Sequence, residues 1–309
     1  MSVLPPYQDH LGLWANELRD WLPEALFDAH VHLSPATVIG PISPERRKEG
    51  LCAFDSFTWD DALTWYGHLF SGKRIAGLIA FPLPLREVNL EAANAYVADL
   101  ARRDARVKGF ILAHPKDAQR TIQQFEAMAR SGIRFTGVKP YYDLLGKSNY
   151  ESAMPEFIPE ELLEFMESER LVMMLHTSGL GVGDPANQAY LKRVAARYPR
   201  VKIILAHMGR YLKPEQFLDF MASDVMDSCP NLFLESSYVT RTEIYQRVLA
   251  RRELWPRLLF GIDFPWGATL VYERDPGQKP GPTTHNTYHV LKAIKDAIEG
   301  LGLDTSATE

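Results

Sequence analysis

The chain has 309 residues, 46% hydrophobic and 24% charged, enough for a large core in one large or two medium soluble domains. Thirty-four Lys and Arg against 39 Asp and Glu leave a formal net charge of −5, which argues against a dedicated nucleic-acid binder but not against a small anionic substrate in a locally positive pocket. Two cysteines, Cys52 and Cys229, exclude a disulfide scaffold and a cysteine-built zinc site, and no apolar run is long enough to span a membrane.

The first 24 residues carry no secretory pattern and are expected to pack outside the main body. Eight short apolar runs then recur, at 25–33, 74–83, 107–115, 133–141, 171–177, 201–209, 231–239 and 257–265. Each is nearly continuous in apolar residues and bounded by turn signals, as a buried parallel strand is. Between them lie stretches with apolar residues at three- and four-residue spacing, at 87–104, 117–132, 187–199, 215–229, 242–255 and 284–300, which read as helices covering a sheet. The connection 34–73 is longer and rich in aromatics, so an excursion or lid is expected after the first strand. Eight strand–helix units predict a single distorted (β/α)8 barrel, its barrel proper spanning about 25–300. A doubly wound sheet is disfavoured because HVHLSPATV, not a GxGxxG loop, follows the first strand.

Chemistry concentrates at the ends of these runs. His30 and His32 sit two apart on the first strand, so both side chains face the same way and can ligate one divalent ion. Lys139, His176, His207 and Asp263 lie towards the ends of runs four, five, six and eight. Polar groups are costly beside apolar runs unless paired or coordinated. The C-terminal strand ends are also where barrel enzymes build their sites. The set predicts a metal centre. A carboxylate such as Asp263 beside a metal-activated water can both ligate the ion and carry the water's proton to a leaving group.

HxH on strand one, histidines ending strands five and six, and the segments LAHMG and FGIDFP resemble the amidohydrolase superfamily, in particular the amidohydrolase-related branch that includes the aminocarboxymuconate semialdehyde decarboxylase-like enzymes. The resemblance implies a distorted barrel with one or two divalent ions, Zn²⁺ or another metal such as Mn²⁺, at its C-terminal face. It implies hydrolysis of an amide, ester or lactone, with decarboxylation in a minority of members. By the same resemblance His30, His32 and Asp263 match ligands of the deeper metal. His176 matches a third histidine, and His207 matches either a second-metal ligand or an acid/base group. Lys139 matches a lysine that many two-metal hydrolases carry as N6-carboxylysine; an unmodified Lys139 touching substrate is the alternative.

Further pocket candidates are Tyr141, Tyr142 and Trp266, which can clamp a flat substrate, Arg210, which can hold a carboxylate, and His114 at the end of run three. Glu235 and Ser237 end run seven without an assigned role, and His285 opens the last helix after the connection 266–284. No GxSxG elbow and no phosphate-cradling GxxxxGK[ST] loop occurs. The leading expectation is a cytoplasmic metal-dependent hydrolase in which Asp263 and His207 serve catalysis. A metal-dependent decarboxylase of an unsaturated or aromatic acid and an inactive binding barrel are the alternatives. The partner is a small molecule, not nucleic acid or membrane, with a homodimer or larger homo-oligomer left open.

Overall fold

A computed structural model describes residues 4–272 and 283–303. Eight strands hydrogen-bond in parallel and in chain order: β1 Ala25–His32, β2 Arg74–Phe81, β3 Val107–Leu112, β4 Gly137–Lys139, β5 Val172–Leu175, β6 Lys202–Leu205, β7 Leu232–Glu235 and β8 Leu258–Leu259. Each expected apolar run contains one of them. The seam between β8 and β1 is not a regular ladder. The chain beyond β8 instead runs beside β1, where Ala29 N donates to Phe260 O (2.9 Å), Asp263 N to His30 O (2.8 Å) and His32 N to Phe264 O (2.9 Å). Asp28 fastens the same seam: its buried carboxylate accepts from Ile262 N (3.0 Å), His30 N (3.0 Å) and the Tyr66 hydroxyl (2.7 Å). The result is the distorted (β/α)8 barrel that the strand rhythm predicts.

The helices are α1 Trp59–Leu69, α2 Leu90–Arg103, α3 Ala118–Arg130, α4 Met154–Phe157, α5 Glu160–Glu169, α6 Pro185–Arg197, α7 Pro214–Ala222, α8 Val225–Ser228, α9 Thr242–Leu249 and α10 Asn286–Gly300. Side-chain oxygens fix several starts: Asn89 accepts from Ala92 N, Asp117 from Arg120 N and Asp184 from Ala186 N. Two expected helices are shorter than the pattern suggests. The stretch 215–229 breaks where Ser223 takes an extended conformation, separating α7 from α8. The stretch 242–255 leaves α9 after Leu249 and continues as a tighter turn over Arg252–Arg257, which contains Pro256. Beyond the barrel, β9 Leu270–Tyr272 and β10 Thr283–His285 form an antiparallel pair that the connection 266–284 did not suggest; residues 273–282 of that connection lie outside the described residues.

The N-terminal segment lies outside the barrel, as expected. Trp14 stacks on Tyr288 of α10 (6.0 Å between ring centroids) and meets Phe70 edge-on. The connection after β1 is the expected excursion, built from short turns at Ala36–Val38, Arg46–Lys48 and Gly50–Ala53 ahead of α1. Its anchor is Arg46. The guanidinium is buried, and Glu87 (2.9 Å), Asp143 (2.7 Å) and Glu49 (2.5 Å) surround it. Arg86 adds a second cation to Asp143 (2.8 Å). A charge taken out of water is costly unless paired and hydrogen-bonded, and here three carboxylates meet the need. The network holds Gly50 and Leu51 over the C-terminal mouth.

Candidate active site at the C-terminal mouth

All strands are parallel, so their C-terminal ends share one mouth. It holds a cavity of about 320 Å³ lined by His30, His32, Lys139, Tyr141, Tyr142, His176, His207, Tyr238, Asp263 and Trp266, with Gly50 and Leu51 from the excursion. The six expected chemical groups thus converge from strands one, four, five, six and eight. His176 and Asp263 stand just beyond β5 and β8 rather than on them, and His207 lies in a tight turn after β6. The backbone is forced there. His207 and Asp263 have φ of 54° and 64°, a region costly for residues with a Cβ and found where surrounding structure over-determines the chain. Gly261 shows why the run reads FGIDFP: a Cβ at that position would lie 2.3 Å from Glu235 Oε1 and 2.9 Å from His30 Cβ.

Each of the four histidines turns Nδ1 to an oxygen. His30 Nδ1 meets Glu235 Oε2 (3.0 Å), His32 Nδ1 meets Pro82 O (3.1 Å), His176 Nδ1 meets Thr177 O (3.0 Å) and His207 Nδ1 meets Ser237 O (3.1 Å). A carbonyl can only accept, so Nδ1 carries the proton and Nε2 keeps a lone pair. The same holds against the Glu235 carboxylate. Burial pushes His30 and His176 well below the usual imidazole pKa and lowers His32 as well, so these three rings are neutral.

The consequence is a triangle of acceptors. His30 Nε2 and His32 Nε2 lie 3.2 Å apart, and Asp263 Oδ1 lies 3.1 Å from the first and 3.2 Å from the second. The Asp263 carboxyl is held at about 2, although burial alone would push it up. It is therefore a carboxylate and has no proton to share. Three lone pairs facing one another in a buried site repel unless a cation sits among them. Ligand bonds of about 2.0–2.1 Å at tetrahedral angles would set donors about 3.3 Å apart, close to what is seen. The residues fit one divalent ion. His30, His207 and Glu235 also cluster, but there the protons are present. Glu235 Oε2 already accepts from His30 Nδ1, from His207 N (3.2 Å) and from the Ser237 hydroxyl (2.8 Å). Glu235 stands behind His30 and orients it, as a carboxylate does behind a metal-binding histidine.

Lys139 is the anomaly of the site. Its side chain is wholly buried, and Nζ has no hydrogen-bond partner; it lies 4.7 Å from the centre of the Phe81 ring and 5.5 Å from that of Tyr141. Burial lowers its pKa to about 8, against the pull of Asp263 and Glu235. Tyr141 and Tyr142 stack on each other at 4.5 Å, and both approach His176. Trp266 meets His32 edge-on (5.1 Å) and donates its indole N–H to Gly50 O (2.9 Å), joining the excursion to the site.

Other candidates fall elsewhere. Arg210 lines a neighbouring cavity, which shares His207 and Tyr238 with the first. His114 lines neither; its Nδ1 accepts from Lys116 N at 3.4 Å. His285 is buried between the N-terminal segment and the barrel, where Gln8 N donates to its Nε2 (3.0 Å) and its Nδ1 donates to Ala268 O (2.6 Å). Tyr238 was not anticipated. It follows β7 with φ of 63°, and the strand-end rule that found the histidines applies to it as well. Glu235 ends β7 by the same rule, but its role became visible only against His30.

The family model for amidohydrolases matches residues 27–269. The chain belongs to the amidohydrolase family. No curated protein matches it in sequence. Among solved structures, an amidohydrolase of Burkholderia multivorans with bound HEPES superposes with a TM-score of 0.59 at 13% identity, covering 92% of this chain and 94% of its own. The IDCase of Metarhizium anisopliae gives 0.55 at 14%, covering 92% and 94%. A dihydroxybenzoic acid decarboxylase of Polaromonas sp. JS666, with manganese and the inhibitor 2-nitroresorcinol, gives 0.51 at 15%, covering 92% and 95%. At these identities the likeness is one of fold. This amidohydrolase-family barrel carries a metal-binding active site whose groups suit hydrolytic and decarboxylating chemistry alike, and among the described residues no helix is long and apolar enough to cross a membrane.

Proposed function

We propose that this protein is a metal-dependent, non-oxidative decarboxylase of a flat aromatic or unsaturated carboxylic acid, working with one Zn²⁺ or Mn²⁺. One observation carries the reading: a single proton-free ligand triangle, His30–His32–Asp263, shares its cavity with the unpaired buried amine of Lys139. At neutral pH an amine of pKa about 8 is mostly ammonium, so the mouth is strongly positive once an ion binds and calls for an anion. Tyr141, Tyr142, Trp266 and Tyr238 supply walls for a planar molecule. The Polaromonas decarboxylase, built on the same fold, is in keeping with this reading.

A bound divalent ion would supply electrostatic stabilisation of the negative charge that develops on the substrate. Lys139 Nζ pairs with the substrate carboxylate, and the aromatic walls exclude water and hold the ring flat. The bond from ring carbon to carboxyl carbon then breaks, CO₂ leaves, and the electron pair stays on the ring carbon. His207, protonated on Nε2 beforehand, delivers its proton to that carbon and is reprotonated from solvent. Ser237 keeps the imidazole aimed through Nδ1 (Ser237 Oγ at 2.9 Å).

The unpartnered Nζ also favours a second reading, a two-metal hydrolase of an amide, ester or lactone. In it neutral Lys139 would add to CO₂ and lose a proton, and the resulting carbamate would help His176 and His207 to hold a second ion. Elemental analysis of metal-replete protein, intact mass of the Lys139 peptide and CO₂ release from a panel of hydroxybenzoates decide between them. One ion per chain, unmodified Lys139 and CO₂ release are expected. Two ions, a mass gain of one CO₂ on Lys139 and lactone or amide hydrolysis without CO₂ release would overturn the decarboxylase reading.

A further inference from the structure

The N-terminal ends of the strands carry positive charge in a chain whose net charge is −5. Arg74 opens β2, Lys108 stands second on β3, Arg170 lies two residues before β5 and Lys202 opens β6. Because the strands are parallel, all four positions belong to the end of the barrel opposite the metal site. Among the described residues none of these four side chains pairs with a carboxylate. Arg46, in the same molecule, gathers three.

At that end lies a cavity of about 260 Å³. The rings of Phe27, Phe110 and Phe233 and the side chains of Ile204 and Leu259 form much of its wall. Phe27 is 43% exposed, an aromatic ring left open to water. The polar members of the lining are Thr136, Lys108 and Lys202. Two of them are already engaged: the Thr136 hydroxyl donates to Gly109 O (3.4 Å) and Lys108 Nζ to Ala105 O (3.0 Å). Lys202 has no such bond among the described residues, and its Nζ lies 6.0 Å from the centre of the Phe233 ring. An apolar chamber stays dry, and about 150 Å³ is enough to take up benzene. A free ammonium against the chamber's own wall favours an apolar body that ends in an anion.

The walls have little freedom to collapse. A Cβ on Gly77 would lie 2.9 Å from two carbons of the Phe27 ring, and one on Gly137 would lie 2.6 Å from two carbons of the Phe110 ring. Both rings therefore rest on backbone where only glycine leaves room. The chamber shares no lining residue with the metal-site cavity. Phe81 stands between the two, 6.3 Å from the Phe110 ring on one side and 5.2 Å from the His30 ring on the other.

We propose that the N-terminal mouth binds a small monocarboxylate with an apolar body, which enters the chamber while the carboxylate stays at the rim with Lys202. The site is independent of the metal centre and of the reaction that the metal centre performs.

Calorimetry tests it with octanoate and 3-phenylpropionate, which distinguish a fatty from an aromatic source of the ligand, against butanoate and octanol. At least one of the two acids is expected to bind once per chain, ten-fold or more tightly than butanoate, and equally well with and without metal. Lys202→Glu, on an exposed side chain, should weaken that acid ten-fold or more and leave octanol unaffected. Val172→Phe, which fills the chamber, should abolish binding of both while metal content stays at the wild-type value. If it fails to fold, Lys202→Glu decides alone. Neither acid binding better than butanoate, an affinity that depends on the metal, or binding that survives in the folded variants would overturn the site. So would a dimer that Phe27→Ser dissolves, because the mouth would then belong to a second copy of the chain.

Discussion

The two mouths of the barrel are made by the same eight strands and share almost nothing chemically. The C-terminal mouth gathers His30, His32, Lys139, His176, His207 and Asp263 around one cavity. The N-terminal mouth opens on a cavity of about 260 Å³ lined mainly by apolar side chains, among them Phe27, Ile79, Phe110, Phe233 and Leu259, with Lys108 and Lys202 as its charged members. Between them a buried layer of Ala29, Ile79, Phe81, Phe110, Met174 and Ile204 fills the barrel. Parallel strands make this division simple: side chains early in each strand face one end, and the residues where each strand stops face the other. Metal chemistry and stability are thereby placed at opposite ends of the same segments, and substitutions should separate them.

The largest effect is expected from Asp263→Ala, and His30→Ala should resemble it. Losing one corner of the triangle removes a ligand outright, so bound metal should vanish and turnover fall by roughly a thousandfold or more, given the several kcal/mol that a catalytic ion supplies. Circular dichroism should stay native, because the filled barrel below is untouched. Full metal occupancy in both variants, by elemental analysis, would dissolve the contrast between the two mouths.

Phe110→Ala is the converse. It empties part of the buried layer and should cost about 3–5 kcal/mol in denaturant unfolding, while metal per chain stays at the wild-type value. Loss of metal in the folded variant would mean that the ends are not independent.

Glu235→Gln keeps the shape behind His30 but weakens the acceptor for His30 Nδ1. Metal affinity should fall by roughly 10–100-fold with little change in fold. A chelator titration showing unchanged affinity would leave Glu235 as packing alone.

Acid should expose the same asymmetry. Burial holds the His176 pKa well below its ordinary value of 6.5, so below that pH the unfolded chain binds a proton that the native one refuses. The stability contributed by neutral His176 is full above pH 6.5 and is lost as pH falls beneath it, by about 1.4 kcal/mol per pH unit for one group. Metal-free His176→Gln should therefore lose stability less steeply than metal-free wild type between pH 6.5 and 5, with His30 and His32 still titrating in both. Parallel curves would show that His176 takes up its proton in the folded state. Smallest of all, Lys108→Ala at the apolar mouth should alter stability by no more than about 0.5 kcal/mol and leave metal content as it was.

Strand rhythm and strand-end polarity were readable along the chain because each depends on local spacing. Eight buried runs of this length need covering helices, and ionisable residues at their ends need partners, so barrel and metal centre followed from burial costs alone. The partners behind the histidines were not readable. Glu235 behind His30, Pro82 O behind His32 and Ser237 behind His207 are brought up by other strands, so no spacing encodes them. The interrupted helices at 223–224 and 250–251 escaped because apolar periodicity persists across a break that the packing imposes. Lys139 marks the boundary most sharply. Its position on strand four was evident in the sequence, whereas its lack of any hydrogen-bond partner is a property of the closed barrel, where burial strips away water and the neighbouring strands offer no acceptor to replace it.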